Sequence, residues 1–132
     1  MALDAGGQRR ADGGRGELGR RGEDIAAERI STRGYRVIDR NCRTREGEVD
    51  LIAWDGIVLT FIEVKARRGR AYGLPEEAIT ATKSGRLIAV AYAYMQAMDQ
   101  PPEDWRIDVV AIEFGVGTSV RRFEIIKGAV EG

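Results

Sequence analysis

An α/β domain is predicted for this chain of 132 residues, with a mixed five-stranded sheet flanked by helices. Three observations predict it: segments with helical spacing of apolar residues, three strand-like segments between them, and two more after the second helix. The predicted element order is α-β-β-β-α-β-β. A helix between the third and fourth strands indicates a crossover connection, which makes the sheet mixed.

Composition divides the chain into a tail and one domain. Residues 1–16 are rich in Gly and Arg and carry almost no large apolar side chain, so we predict a disordered tail before a single domain over residues 17–132. The single cysteine, Cys42, excludes an internal disulfide, and no ligand spacing typical of zinc or iron–sulfur sites is present. Because no secretory or membrane-spanning segment is visible, we expect a cytoplasmic protein with no membrane partner.

The first helix is predicted to begin near Glu17 and end near Arg33, because apolar residues such as Leu18, Ile25 and Ile30 follow a helical stripe. The other predicted elements are a strand from Tyr35 to Arg40, hairpin strands Glu48 to Trp54 and Ile57 to Lys65, a helical turn at Pro75 to Glu77, a helix capped by Thr80 or Thr82 and ending near Met98, and strands Trp105 to Phe114 and Val120 to Lys127.

The hairpin strands carry the most informative pattern in the chain. They contain Gly47-Glu48-Val49-Asp50-Leu51-Ile52 and Phe61-Ile62-Glu63-Val64-Lys65, joined through Asp55-Gly56. Asp-Gly between two apolar runs predicts a two-residue turn, because its backbone tolerates the positive φ that such turns require. This turn would pair Trp54 with Ile57.

In that register Asp50 faces Phe61, and Glu48 faces Glu63. Side chains alternate along a strand, so Glu48, Asp50, Glu63 and Lys65 are expected on one face. A three-residue turn would instead put Asp50 and Glu63 on opposite faces. The opposite face is expected to be core, and it consists of Val49, Leu51, Ala53, Val58, Ile62 and Val64.

Three carboxylates at this spacing repel one another unless a proton or a cation neutralises them. The chain contains no histidine, which removes imidazole bases and most transition-metal sites and favours magnesium, manganese or calcium on oxygen ligands. Lys65 is placed to offset charge or to reach a phosphate or an attacking water. The pattern therefore predicts a metal-dependent phosphodiesterase, whereas Glu-x-Lys alone more often marks a solvated strand end.

Basic residues flank the acidic pattern although the formal net charge is zero. They either contact phosphates or form a solvated surface, and they are Arg36, Arg40, Arg43 and Arg45 before it and Lys65, Arg67, Arg68 and Arg70 after it. Lys83 and Arg86 lie one turn apart near the start of the second long helix. We expect them to bind a phosphate, to contact the acidic cluster or to form an ordinary salt bridge. Asp108 is expected to form a structural ion pair, and Trp54 and Trp105 are expected either in the core or as a cover over the hairpin.

Several segments together resemble the bacterial YraN family over roughly residues 17 to 127. The matching segments are Gly19-x-x-Gly22-Glu23 with Ala26-Ala27, Gly34-Tyr35, Asn41, Gly47 to Ile52, Phe61 to Lys65, Tyr72-Gly73-x-Pro75-x-Glu77-Ala78, Lys83-x-x-Arg86-Leu87 and Arg106 to Val110. The chain has Ala81 where that family often has proline. The resemblance implies a restriction-endonuclease-like fold, similar to the archaeal Holliday-junction resolvases.

The resemblance also implies roles for individual residues. Asp50 and Glu63 would be metal ligands for Mg²⁺ or Mn²⁺, with the Val64 carbonyl as a further oxygen, and Lys65 would orient or activate the attacking water. Glu23 matches a helical glutamate that related resolvases bring to the site.

Glu48 would be either a ligand or a group that supports one. The residues expected to bind nucleic acid are Arg43, Arg45, Arg67, Arg68, Lys83 and Arg86.

The expected function is metal-dependent hydrolysis of DNA phosphodiesters, selective for branched or junction DNA. Related resolvases imply a homodimer and a role in DNA repair or recombination. Two alternatives stay open: a nuclease-fold module that binds nucleic acid or a partner with little turnover, and a metal-binding or scaffold protein without nucleic acid.

Overall fold

A computed structural model of the chain describes residues 8–9, 16–71 and 73–130. Its elements are strand β1 (Gln8–Arg9), helix α1 (Glu17–Ser31), strands β2 (Tyr35–Thr44), β3 (Gly47–Asp55) and β4 (Val58–Arg68), a short 3₁₀ helix (Pro75–Ala78), helix α2 (Ala81–Gln96), and strands β5 (Trp105–Phe114) and β6 (Val120–Val130). The order predicted after the tail, α-β-β-β-α-β-β, is confirmed. Most of the predicted disordered tail, residues 1–7 and 10–15, lies outside the described residues, so its disorder stays a prediction.

One mixed sheet contains all the strands, in the order β1-β2-β3-β4-β5-β6. Neighbouring strands are antiparallel except β4 and β5, which run parallel. Helix α2 lies in the connection between those two strands, as the predicted crossover requires. The five predicted strands form the mixed sheet, and the two-residue β1 extends its edge beside β2.

Each face of the sheet is covered by one helix, and each helix forms its own hydrophobic cluster. On the α1 face, Ala26 and Ile30 pack with residues that include Leu51 and Ile62. The cluster on the α2 face consists of Cys42, Val49, Ile52, Leu59, Phe61, Leu87, Val90, Ala91, Tyr94, Met95, Ile107 and Val130, with Trp54 and Trp105 packed against it. Because both faces are buried, the polar groups within the sheet must find partners there.

The predicted apolar face of the hairpin is confirmed for Leu51, Ala53, Ile62 and Val64, which all lie in the α1 cluster. The prediction is wrong for Val49, which packs in the α2 cluster with Ile52. Val58 is only half-buried, beside the turn. The alternation of faces along β3 is therefore interrupted between Val49 and Leu51.

The turn between β3 and β4 differs from the prediction by one residue. Its central residues are Gly56 and Ile57, so Asp55 pairs with Val58 and Trp54 pairs with Leu59, not with Ile57. Gly56 has a φ of 64°, which suits a turn with glycine at the first central position. Asp55 joins the strand because Arg106 and Lys127 bind its carboxylate.

Helix α2 begins at Ala81, and Thr80 is its N-cap. The Thr80 hydroxyl oxygen accepts a hydrogen bond from the Lys83 backbone N–H at 3.2 Å, which satisfies one of the free N–H groups of the first turn. Of the two predicted capping residues, Thr80 is thus the one used.

In the described ranges no helix combines the length and apolarity needed to cross a membrane.

Candidate carboxylate and lysine site

Strands β3 and β4 separate at the end of their shared ladder, and Asp50 spans the gap. The last ladder pair is Leu51 with Ile62. One residue further on, the Asp50 Oδ2 atom accepts a hydrogen bond from the Val64 backbone N–H at 2.8 Å. The Asp50 side chain is buried, and it replaces the backbone carbonyl that would otherwise accept from this N–H.

The corrected turn also brings Glu63 closer to Asp50 than predicted. Continuing the register beyond the pair of Leu51 and Ile62 places Asp50 across from Glu63, where the predicted turn had placed it across from Phe61. A two-residue turn and its shift by one pair both preserve parity, so Asp50 and Glu63 still share a face. The two carboxylates of the predicted site therefore do come together.

Burial and the charge of Asp50 raise the pKa of Glu63 to about 8. The Lys65 ammonium acts in the opposite direction, and its Nζ atom lies 3.3 Å from Glu63 Oε2. Two carboxyl groups this close resist double ionisation, so the pair retains a proton near neutral pH unless a cation replaces it. The Lys65 ammonium alone therefore does not neutralise both carboxylates, and the site favours binding of a further cation.

Helix α2 contributes a second lysine, Lys83, whose amine lies beside that of Lys65. The contact with the Lys65 amine lowers the pKa of Lys83, while Glu63 and Asp50 raise it. Two ammonium groups at this separation repel each other and gain from an anion placed between or above them. The prediction that Lys83 could serve either a phosphate or the acidic cluster is therefore consistent with its position.

Glu48 does not pair with Glu63, and that part of the register prediction is wrong. It lies across from Arg43 on β2, and Arg43 Nη2 is 3.2 Å from Glu48 Oε1. The ladder with β4 ends before it reaches Glu48. Its role as ligand or supporting group stays a prediction.

Glu23 lies on α1 and is buried despite its charge. Arg40 Nη2 is 3.7 Å from Glu23 Oε1 and 2.7 Å from Asp24 Oδ1. The neighbouring Gly22 lets the helix approach β4 closely, because a Cβ atom there would stand 2.9 Å from the Ala66 Cβ. Sequence reasoning noted Arg40 only as part of a basic stretch and had no signal for its pairing with α1.

The residues predicted to bind nucleic acid fall into three groups. Arg43, Arg45 and Arg86 lie around the tip of the β2–β3 hairpin, where Gly47 packs against Arg86. Lys83 lies at the centre beside Lys65. Arg67 and Arg68 lie at the far end of β4, about 7 and 10 Å along the strand from Lys65.

Arg68 also has a structural contact. Its Nη1 atom donates hydrogen bonds to the carbonyl oxygens of Gly115 at 2.8 Å and Gly117 at 2.6 Å. These bonds hold the exposed guanidinium on the turn between β5 and β6.

Oxygen atoms dominate the donor set available to a cation at this site. Within residues 8–9, 16–71 and 73–130, no three His, Cys, Asp or Glu side chains converge as a complete metal cage. Mg²⁺ is commonly bound by one or two carboxylates and completes its shell with water and substrate phosphate. The Asp50 and Glu63 pair fits that mode of binding.

Two further acid clusters are structural. Asp108 is fully buried and accepts hydrogen bonds from Arg106 Nε at 2.8 Å, from the Tyr35 hydroxyl at 3.0 Å and from the Gly128 N–H at 3.0 Å. This confirms the predicted ion pair. The second cluster is centred on Glu113 of β5 with Arg70 and Arg122, and sequence reasoning missed it.

These features define an α/β protein whose mixed sheet holds a largely buried carboxylate pair beside two lysines. The chain belongs to the uncharacterised protein family UPF0102, whose model matches residues 22–112, so the resemblance to the YraN family is confirmed. It is 52% identical over 98 residues to a UPF0102 protein of Symbiobacterium thermophilum, covering 74% of this chain and 83% of the relative. It is 44% identical over 133 residues to one of Anaeromyxobacter dehalogenans, covering 100% and 95%, and 47% identical over 100 residues to one of Rhodococcus opacus, covering 76% and 85%.

Proposed function

We propose that this protein hydrolyses phosphodiesters of nucleic acid, with Mg²⁺ or Mn²⁺ held by Asp50 and Glu63. The observation that carries the proposal is the meeting of these two carboxylates beside the Lys65 amine at the point where β3 and β4 separate. A buried acid with a pKa raised to about 8 is a liability in a purely structural strand. At a cation site the same acid is an effective ligand, because the cation takes the place of the proton.

Asp50 and Glu63 would supply the side-chain ligands, and the Val64 carbonyl is the candidate backbone ligand. The hydrogen bond from the Val64 N–H keeps Asp50 Oδ2 fixed, so the carboxylate is oriented before any ligand arrives. The chemistry that such a cation supplies when bound is polarisation of a phosphoryl oxygen and activation of water.

The lysines would act on the phosphate itself. The Lys65 amine is half-buried next to Glu63, where its charge is screened less than at an open surface. It would orient the attacking water and offset the charge that develops on the phosphoryl oxygens. Lys83 would hold the same phosphate or its neighbour from the α2 side, which relieves the repulsion between the two amines.

Glu23 on α1 is the remaining catalytic candidate, and we do not assign it as a third carboxylate of the Asp50 and Glu63 pair. Its burial and the 3.7 Å separation from Arg40 hold the carboxylate in place beside the part of β4 that Gly22 contacts. The role we assign to it is orientation of water on the α1 side of the site.

DNA is the proposed substrate, and branched or junction DNA the preferred form. The candidate contacts, Arg43, Arg45, Arg67, Lys83 and Arg86, are long cations suited to phosphates, which fix position without reading base sequence. Selection by the shape of the substrate follows more readily from such contacts than selection by sequence. A homodimer, which would present two sites to two strands, is part of the same proposal.

The test is a cleavage assay on branched and linear DNA with Mg²⁺, with Mn²⁺ and with EDTA. Asp50→Asn, Glu63→Gln and Lys65→Met are each expected to lower the cleavage rate by about 100-fold or more. Glu103→Gln, a carboxylate change in the exposed connection before β5, is the matched control and should cleave at the wild-type rate. Equal cleavage in EDTA, or full activity in all three site variants, would refute the proposal.

A binding module without turnover is the second candidate, and one observation favours it. The described residues offer only two converging carboxylates, so cation affinity without substrate is expected to be modest. In that case wild-type protein would bind branched DNA in a salt-sensitive manner and would not cleave it with either metal. No binding even at low salt would leave only the scaffold alternative.

A further inference from the structure

Asn41 has an unusual backbone conformation for a residue inside a strand. It lies in β2 with a φ of 53°, and it is the one non-glycine residue with positive φ in the described ranges. Side chains disfavour this left-handed region because Cβ approaches the following carbonyl oxygen, and Asn tolerates it better than other residues that carry a Cβ. Such conformations persist only where the surrounding structure holds them.

The position of Asn41 in the sheet connects it to the site. The β2–β3 ladder pairs Arg40 with Leu51 and Cys42 with Val49, which places Asn41 across from Asp50. No residue is inserted between those two pairs. The backbone conformation of Asn41 therefore changes the direction of strand β2, whereas the pairing register of β2 with β3 stays the same.

The faces of both strands invert at this point. Before it, Arg40 reaches Glu23 and Asp24 on α1, and Leu51 lies in the α1 cluster. After it, Cys42 and Val49 lie in the α2 cluster. Residues two apart on a regular strand share a face, so the hairpin must turn over between these two pairs.

This inversion moves the hairpin tip away from β4. Gly47, beyond the inversion, packs against Val90 and Arg86 of α2. The ladder between β3 and β4 stops at Leu51, one residue before Asp50. The gap that the Asp50 carboxylate spans to reach the Val64 N–H thus begins at the residue across from Asn41.

We propose that Asn41 is a positioning residue for Asp50. Its left-handed backbone turns the β2–β3 hairpin toward α2, and this opens the gap in which Asp50 binds the Val64 N–H and stands beside Glu63. The consequence for catalysis rests on the proposed function, whereas the consequence for the Asp50 hydrogen bond does not.

The test is a substitution series at Asn41 in the full chain, with Asn41→Gly, Asn41→Ala and Asn41→Val. Glycine adopts positive φ without cost, alanine does so at a cost, and a β-branched residue is a genuine outlier there. Ala129→Val, at an exposed position of β6 outside the candidate site, is the control for adding a valine to a strand. Hydrogen exchange of the Val64 amide is measured by NMR without metal, and cleavage of branched DNA is measured with Mg²⁺.

We expect Asn41→Gly and Ala129→Val to keep the wild-type exchange rate of Val64 and the wild-type cleavage rate. Asn41→Ala should exchange about tenfold faster at Val64, which corresponds to the cost of the left-handed region for a side chain. Asn41→Val should lose this protection and cleave about 100-fold more slowly, as expected for a misplaced catalytic ligand.

Two outcomes would overturn the inference. Wild-type Val64 protection in Asn41→Val would show that the conformation is not needed. Equal loss in the Gly and Ala variants would show that the amide side chain matters and the backbone conformation does not. If Asn41→Val fails to fold, the Gly and Ala pair decides. If no protein in the series cleaves DNA, including wild type, the proposed function fails while the Val64 measurement still decides the role of Asn41.

Discussion

Two clusters of buried acids on the same face of the sheet differ in how their charge is neutralised. Glu113 accepts hydrogen bonds from Arg70 Nε at 2.8 Å and Arg122 Nη1 at 2.8 Å, and the hydrogen bond from Arg70, against a smaller effect of burial, lowers its pKa. Glu63 is also largely buried, but burial together with Asp50 raises its pKa to about 8, and the cation that contacts it is the Lys65 amine at 3.3 Å.

The difference lies in the cations. A guanidinium donates along both carboxylate oxygens, and Arg122 also binds Glu76 at 2.8 Å, so the Glu113 cluster is satisfied internally. A lysine ammonium is a point charge. Here the amine of a second lysine, Lys83, lies beside that of Lys65, and the two repel each other. The Glu113 cluster therefore stabilises the fold, whereas the Glu63 cluster remains short of positive charge and suits a ligand.

The largest expected effect is a loss of stability when the Glu113 cluster is disrupted. Arg122→Met removes one of two arginines from the Glu113 carboxylate and the hydrogen bonds to Glu76, and should lower the free energy of unfolding by about 2 kcal/mol. Lys65→Met should lower it much less, because Glu63 already retains a proton near neutral pH. Urea unfolding at pH 7 measures both, and Arg121→Met, an exposed neighbour on β6, should change stability by no more than about 0.5 kcal/mol. Equal losses in Arg122→Met and Lys65→Met would remove the contrast between the clusters.

The pH dependence of stability should have opposite signs in the two clusters. The native pKa of Glu63 is raised, so wild-type stability should fall as pH rises from about 4.5 to about 8 and then level off. Glu63→Gln should abolish that decline and stabilise the metal-free protein at pH 8 by on the order of 2 kcal/mol.

Glu113→Gln should instead destabilise the protein at neutral pH, because the pKa of Glu113 is lowered in the folded protein. The contribution of Glu113 to stability is lost only as pH falls below the ordinary pKa of a glutamate. Unfolding free energies across pH 4 to 9 in EDTA measure both variants. A wild-type curve that rises toward pH 8 and depends on Glu63 would contradict the assignment.

Added Mg²⁺ should stabilise the wild-type protein at pH 8. At a free concentration ten times Kd the expected gain is about 1.4 kcal/mol, since the cation binds only the folded chain. Asp50→Asn should show no gain, and Glu113→Gln, an amide change outside the site, should show the full gain. Thermal unfolding with Mg²⁺ or EDTA measures this, and equal stabilisation of Asp50→Asn would exclude the Asp50 and Glu63 pair as the binding site.

The smallest effect is expected from Lys83. Lys83→Met should change stability by less than about 0.5 kcal/mol, because the residue is exposed and its amine lies beside that of another lysine. It should reduce the slope of log Kd for DNA against log salt by about 0.9, the loss of one phosphate contact. Lys127→Met, whose amine lies 3.2 Å from Asp55, is the control and should leave the slope unchanged. Equal slopes in wild type and Lys83→Met would remove Lys83 from the DNA surface.

The hairpin shows where prediction from sequence succeeded and where it could not. Parity placed Asp50 and Glu63 on one face, and this survived because the predicted and observed turns both contain two residues. The register was wrong by one pair, because Arg106 and Lys127 draw Asp55 into the strand. Those partners lie about 50 and 70 residues away in the chain, so local turn propensity carries no information about them.

The sequence by itself determined the order of helices and strands, the oxygen and amine chemistry of the site and the absence of histidine. These follow from local periodicity and residue type, which the chain displays without folding. Only the tertiary structure decided that Asp50 binds the Val64 N–H, that Lys83 stands beside Lys65 and that Glu113 is neutralised by arginines from two other segments. The physical reason is that burial and long-range charge pairs depend on distances between segments, and packing alone sets those distances.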